Sequence, residues 1–170
     1  MTDTSSFWAG TNRDVFMAQL GSVFEHSRWI AERAIAAGPF DSLAGAFEAM
    51  AEVVMSGTPE EQLALLRAHP DLAGKAALRG ELTDDSSREQ AGAGLDTLSA
   101  EEMNRFQSLN DRYRTANGFP FIIAVAGLDK HDILNAFEIR LDNKKDAERR
   151  AALEQVLRIG RLRADRLDDN

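Results

Sequence analysis

The chain contains no cysteine, which excludes disulfides, thiolate metal sites and cysteine nucleophiles and permits an intracellular home. No stretch reaches the ~18 apolar residues needed to span a bilayer. The opening MTDTSSFWAGTNRD has neither the basic nor the apolar region of a signal peptide, so the expected setting is the cytoplasm, away from membranes. Basic residues are the minority: 20 Lys and Arg face 28 Asp and Glu, a net charge of -8 that repels nucleic acid and anionic lipid at long range. An anionic ligand would need a local basic group to hold it. Alternating runs rich in Val, Ile, Thr and Tyr are almost absent, so there is little from which to build a sheet.

What is present is a recurrence of apolar residues at three- and four-residue spacing nearly throughout, which predicts an all-α fold. The 170 residues suit a single compact domain over 1–170 with its own core, and no repeat, low-complexity tract or linker divides them. Caps and prolines place the helices. Asn12 is an N-cap for a helix over about Arg13 to Phe24, and a second, about Arg28 to Ala37, stops at Gly38-Pro39. A third follows Asp41 or Ser42, with Leu43, Ala46, Phe47, Met50, Val53 and Val54 on one side. Thr58-Pro59-Glu60 opens a fourth, which runs to about His69 because the ring of Pro70 disfavours helical geometry in the residue before it. A short helical piece is expected around Leu72 to Leu78. The next helix, through Gly92 and Gly94, starts at Ser86-Ser87-Arg88-Glu89, which has capping-box spacing. Ser99-Ala100-Glu101-Glu102 is another such box, opening a helix that ends at Gly118. Pro120 fits the first position of a helix that follows at once. Two more helices are expected, over about His131 to Leu141 and Asp146 to Arg166.

Each candidate residue has an ordinary structural explanation beside the functional one. His69 is displayed at a helix end, where an imidazole can face a cleft and titrate near neutrality, or it is a capping or loop histidine. His26 and His131 read as capping or surface residues. Glu89 is explained fully as the N3 residue of its capping box; read functionally, the helix N-terminus favours a carboxylate that orients a substrate. His69, Asp71 and Glu89 match no recognised ligand spacing, so no metal is expected. In GFPFIIAV, a helix start at Pro120 leaves the amides of Phe121, Ile122 and Ile123 without intrahelical partners, able to hold an anion or a carbonyl oxygen. The plainer alternative is a buried apolar helix. On the last helix, Leu153, Val156, Leu157, Gly160, Ala164 and Leu167 make one face at 3.6 residues per turn. Arg163 lies at its edge, placed to reach inward and grip a carboxylate. Arg161 lies further round with Asp165 and Arg158, a solvated face, and Arg149 is a reserve candidate.

Three segments carry a resemblance: RAHPDLAGKAA, ELTDDSSREQAGAGLDTLSAEE and FQSLNDRYRTANGFPFIIAVAGL are together similar to the 2-oxo-4-hydroxy-4-carboxy-5-ureidoimidazoline (OHCU) decarboxylase family of uric acid breakdown. The likeness extends from about FEHSRWIAERA to RIGRLRADRL. It implies an all-α single domain of that family's own type, usually a homodimer, that decarboxylates OHCU to S-allantoin with no metal or organic cofactor. It also implies that His69, in HPDL, is the catalytic histidine, that Glu89 is the glutamate of an S-x-x-E-Q motif, and that Arg163 is the C-terminal catalytic arginine, with Arg161 as the other arginine RLR offers. Pro70, the stretch Ser86, Ser87, Arg88 and Gln90, and the stretch Phe121, Ile122, Ile123, Ala124 and Val125 match segments that line the substrate pocket. Composition alone fits a different class equally well, a helical interaction module with an exposed apolar groove. A third reading keeps the scaffold and takes another ureido or purine-derived acid as substrate.

Overall fold

The computed structural model describes residues 12–168, and among these there are nine α-helices and no β-strand, the all-α architecture that the apolar spacing predicts. None of the described helices is long and apolar enough to cross a membrane. The chain packs as two compact units. One is built from the described residues up to Ala68 together with those from Leu157 onward, and the other is His69–Val156.

In the first unit, α1 (Arg13–Leu20) starts behind Asn12, whose Oδ1 accepts from the Asp14 amide at 2.8 Å. It ends before the expected Phe24, at Gly21, a residue whose backbone freedom disfavours continuing a helix. The second helix, α2 (Trp29–Ala34), tightens into a 3-10 turn over Ile35–Ala37 and stops at Gly38. Ser42 caps α3 (Leu43–Met55), which buries Leu43, Ala46, Phe47, Met50 and Val54 along one face. A full capping box of Thr58 and Glu61 opens α4 (Pro59–Arg67). Stacked ring pairs, Phe16 with Phe40 and Phe24 with Phe47, form part of this core. Gly160 also belongs to this unit, and a Cβ there would come within 2.7 Å of the Phe24 ring, so only glycine lets the helix approach.

The second unit holds α5 (Lys75–Leu78), α6 (Asp84–Gly92), α7 (Ala100–Asn117) and α8 (Lys130–Leu141), together with residues 145–156 of α9 (Lys145–Asp168). Its core is aromatic: Tyr113 meets Phe119, Phe121 and Phe137 edge-on, and Phe121 stacks on Phe137. Ser99 caps α7 as expected, and Gly118 closes it in the left-handed conformation with φ 80°.

Two expectations in this unit fail. The cap of α6 is Thr83, whose Oγ1 accepts from the Ser86 amide, so the helix starts before Ser86 and Glu89 is not an N3 residue. Asp84 and Asp85 then occupy the first turn, where acids complement the helix dipole, and that advantage decides between the two possible caps. The helix expected at Pro120 does not form either. Residues 119–125 carry neither helix nor strand, and the next helix waits for Asp129, which makes a capping box with Asp132. Pro120 is preceded by Gly118-Phe119, with no side chain that can cap, and Ile122, Ile123 and Val125 lose rotamer freedom in a helix.

Candidate functional site

His69 follows α4 directly after Ala68, the residue that closes the helix, and is 6% exposed. The turn behind it is held from two helices of the second unit. From α6, Gln90 uses both ends of its amide: Oε1 accepts from the Ala73 amide at 3.0 Å, and Nε2 donates to the Asp71 carbonyl at 3.3 Å. From α7, Asn110 donates to the Leu72 carbonyl at 2.9 Å, and Arg114 Nε meets Asp71 Oδ1 at 2.8 Å. Ala73 takes a left-handed conformation, φ 49°, which costs a residue with a Cβ roughly 1–2 kcal/mol. The bond from Gln90 fixes the amide of that same residue. Gly74 has Asp71 so close that a Cβ would lie 2.6 Å from the Asp71 Cβ. The loop after His69 is thus fastened at Asp71, Leu72 and Ala73 in turn.

The same helix that supplies Gln90 carries Glu89, its sixth residue. With Thr83 as the cap, Glu89 is not part of a capping box. Glu89 is half-buried, Ser86 and Gln90 are buried, and Ser87 and Arg88 are exposed. Ser87 and Gln90 line a cavity of about 450 Å3, together with Ala73, Leu95 and Met103 among others. His69, Glu89 and Gln90 therefore belong to one loop and one helix that Gln90 itself ties together.

The stretch Phe121 to Val125 lies in the same unit. Phe121, Ile122, Ala124 and Val125 are buried and Ile123 is half-buried. Irregular buried backbone must find side-chain partners, and two are clear: Arg140 Nη1 donates to the Ile122 carbonyl at 2.6 Å, and the Ala124 amide donates to Gln155 Oε1 at 2.9 Å. Arg140 is gripped in turn by the fully buried Glu148, through Nε at 3.1 Å and Nη2 at 3.0 Å. The Glu148 carboxylate also accepts from Tyr113 Oη and Asn143 Nδ2. Burial alone would raise the Glu148 carboxyl, but the hydrogen bonds from Arg140, Tyr113 and Asn143 outweigh it and hold the group below its ordinary value.

Arg163 lies in the first unit and points inward, 5% exposed. Its Nη1 donates to Glu25 Oε2 at 2.8 Å and to the Val23 carbonyl at 3.3 Å. Arg161 pairs with Asp165 at 2.9 Å on a side where both are largely exposed, and Arg149 is half-buried. The inward rank of Arg163 over Arg161 follows the helix geometry. That its carboxylate partner is the protein's own Glu25 was not foreseen. Glu25, Asn110, Arg140 and Gln155 all escaped the sequence reading. A signal existed for the Glu148 cluster, because Glu148 precedes the buried Ala152 by four residues and so shares its inward face.

Comparison with known proteins gives a consistent result. The profile of the OHCU decarboxylase family matches residues 10–165. A 2-oxo-4-hydroxy-4-carboxy-5-ureidoimidazoline decarboxylase from Halalkalicoccus jeotgali is 42% identical over 156 residues, covering 92% of this chain and 86% of that protein. The uric acid degradation bifunctional protein PucL of Bacillus subtilis is 44% identical over 144 residues, which are 85% of this chain and 28% of that one. Among solved structures, an (S)-allantoin synthase superposes with a TM-score of 0.75 at 30% identity, covering 95% of this chain and 53% of that one.

Proposed function

The chain belongs to the OHCU decarboxylase family and is a carboxy-lyase of uric acid breakdown, and from that premise we propose that it converts OHCU to S-allantoin without a cofactor, with His69 as the acid-base group. In OHCU the carboxylate sits on a carbon beside a ring C=N bond. When the C–C bond to the carboxylate breaks, its electron pair forms a ring C=C bond and the C=N pair passes to the nitrogen, which takes a proton. The resulting enol is then protonated on the carbon bearing the ureido group and releases its hydroxyl proton, giving allantoin. The substrate carries its own electron sink, the service that organic cofactors supply elsewhere. What remains for the protein is orientation and a proton delivered to one face.

The observation that carries the reading is the fastening of the loop behind His69. A buried imidazole followed by a turn held at three successive residues by Gln90, Asn110 and Arg114 is a donor of fixed position. Glu89, released from a capping role, orients the substrate and tunes His69. Pro70, Ser86, Ser87, Arg88 and Gln90 contribute to the lining around them. Phe121 to Val125 belong to the same lining, and the backbone amides near Phe121 to Ile123 hold a ring or ureido oxygen. Arg163, rather than Arg161, is the arginine on which turnover depends. We further infer that the chain acts as one domain in the cytoplasm and as a homodimer, as the family resemblance implies.

Enzymatic and spontaneous decay of OHCU separate by handedness, because spontaneous protonation has no preferred face. Coupling urate oxidation and 5-hydroxyisourate hydrolysis to this protein, with allantoin followed by circular dichroism, should give S-allantoin alone. His69→Asn should be slower by about a hundred- to ten-thousand-fold, its product drifting toward racemic. A His69→Asn protein making S-allantoin at near wild-type rate would remove His69 from the mechanism.

A further inference from the structure

Residues 119–125 form a buried stretch without regular structure, so its conformation depends on side chains from elsewhere. Two reach its backbone from opposite chemical directions. Arg140 supplies a donor to the Ile122 carbonyl at 2.6 Å, and Gln155 supplies an acceptor to the Ala124 amide at 2.9 Å. Between them stands Ile123, the one residue of the stretch that is not buried. Fixing the carbonyl before it and the amide after it sets the orientation of both peptide planes that flank Ile123.

Arg140 is itself locked. The Glu148 carboxylate takes its Nε and Nη2, and its guanidinium lies over the Phe121 ring at 4.5 Å from the centroid. Phe121 in turn stacks on Phe137 at 3.9 Å between centroids. A planar fork with several fixed contacts can aim a donor in a way that a lysine ammonium cannot. Such a buried charged assembly is more than an apolar core needs, since well-packed apolar residues often serve stability equally well.

We propose that Arg140 and Gln155 are positioning residues for substrate binding, which hold the peptide groups around Ile123 in the orientation that receives a substrate oxygen. The inference rests on the reading above that Phe121 to Val125 line the substrate pocket. Neither residue takes part in proton transfer, so their loss acts on KM rather than on kcat.

Gln155→Leu keeps the size of the side chain and removes the acceptor, and Gln155→Glu restores one. Gln155→Leu should raise KM about tenfold, as expected for the loss of one hydrogen bond, with kcat within about threefold of wild type, whereas Gln155→Glu should return KM most of the way. Arg140→Lys, which keeps a charge beside Glu148, should also raise KM. Hydrogen exchange read at the Phe121 to Val125 amides supplies a measure independent of activity and should quicken at Ala124 in Gln155→Leu. Unchanged exchange in that variant would overturn the proposal, as would faster exchange with a wild-type KM. Failure of both Gln155→Leu and Arg140→Lys to fold would overturn it too, by making the clamp a requirement of the fold instead of the site. A wild type with no activity on OHCU sinks the underlying functional reading. An active wild type with variants of unchanged KM sinks this inference alone.

Discussion

Arg163 and Arg161 stand two residues apart on α9, yet the structure gives them different work. Arg163 and Glu25 are both almost fully buried, with side-chain exposures of 4% and 2%, so removing the guanidinium strands a carboxylate away from water. Arg163→Ala should therefore lose about 3–5 kcal/mol of stability as well as turnover. Arg161→Ala gives up a largely exposed pair, worth about 0–1 kcal/mol, and should leave turnover near wild type. Urea denaturation beside the allantoin assay checks both, and a reversed order would mean that Arg161 is the functional arginine. Glu89 poses the complementary case. Glu89→Gln keeps the size of the side chain and leaves the Thr83 cap in place, so the protein should stay folded and lose most of the rate. Full activity in that variant would reduce the site to His69 and its supports.

At the scale of elements, α6 tests which of two plausible caps the chain uses. Thr83→Ala removes the acceptor for the Ser86 amide and should cost about 1 kcal/mol. Ser86→Ala leaves that cap in place, because the bond to Thr83 runs from the Ser86 backbone amide. A Thr83→Ala protein that melts at the wild-type temperature would count against Thr83 as the cap. The same helix marks where local sequence signals stop being sufficient. Asn12, Ser42, Thr58 and Ser99 each cap the helix that their sequence context announces, because a cap acts within three residues. At α6 two valid caps lie three residues apart, and the choice between them depends on the acids that follow Thr83. Residues 119–125 were misread for a different reason: an apolar run behind a proline fits a helix start, and only Arg140 and Gln155, distant in sequence, make the irregular form affordable. The candidate site was legible to a similar extent. His69 and Glu89 were visible through local motif and the inward turn of Arg163 through periodicity, whereas Glu25 lies 138 residues from Arg163 and no local pattern could join them.

For the molecule as a whole, the proposed chemistry needs no bound group. Among the described residues, no cluster of three or more His, Asp or Glu side chains is placed to hold a metal ion. Thorough chelation should leave the rate of allantoin formation unchanged, and activity lost to a chelator and restored by one added metal would refute the cofactor-free reaction. A last consequence comes from Ala73, whose left-handed backbone sits in the loop behind His69. Replacing it with glycine releases roughly 1–2 kcal/mol of conformational strain. Against this stand the greater freedom of an unfolded glycine, about 0.4–1 kcal/mol, and the loss of one buried methyl, about 0.8 kcal/mol. These contributions nearly cancel, so Ala73→Gly should melt at almost the wild-type temperature. Its loop, no longer confined to one backbone basin by a side chain, should hold His69 less steadily and lower kcat. Durability and speed are then separable at this one position: the methyl group should add nothing net to survival of the fold and act through turnover. A variant whose Tm and kcat fell together would show instead that the loop serves the fold first.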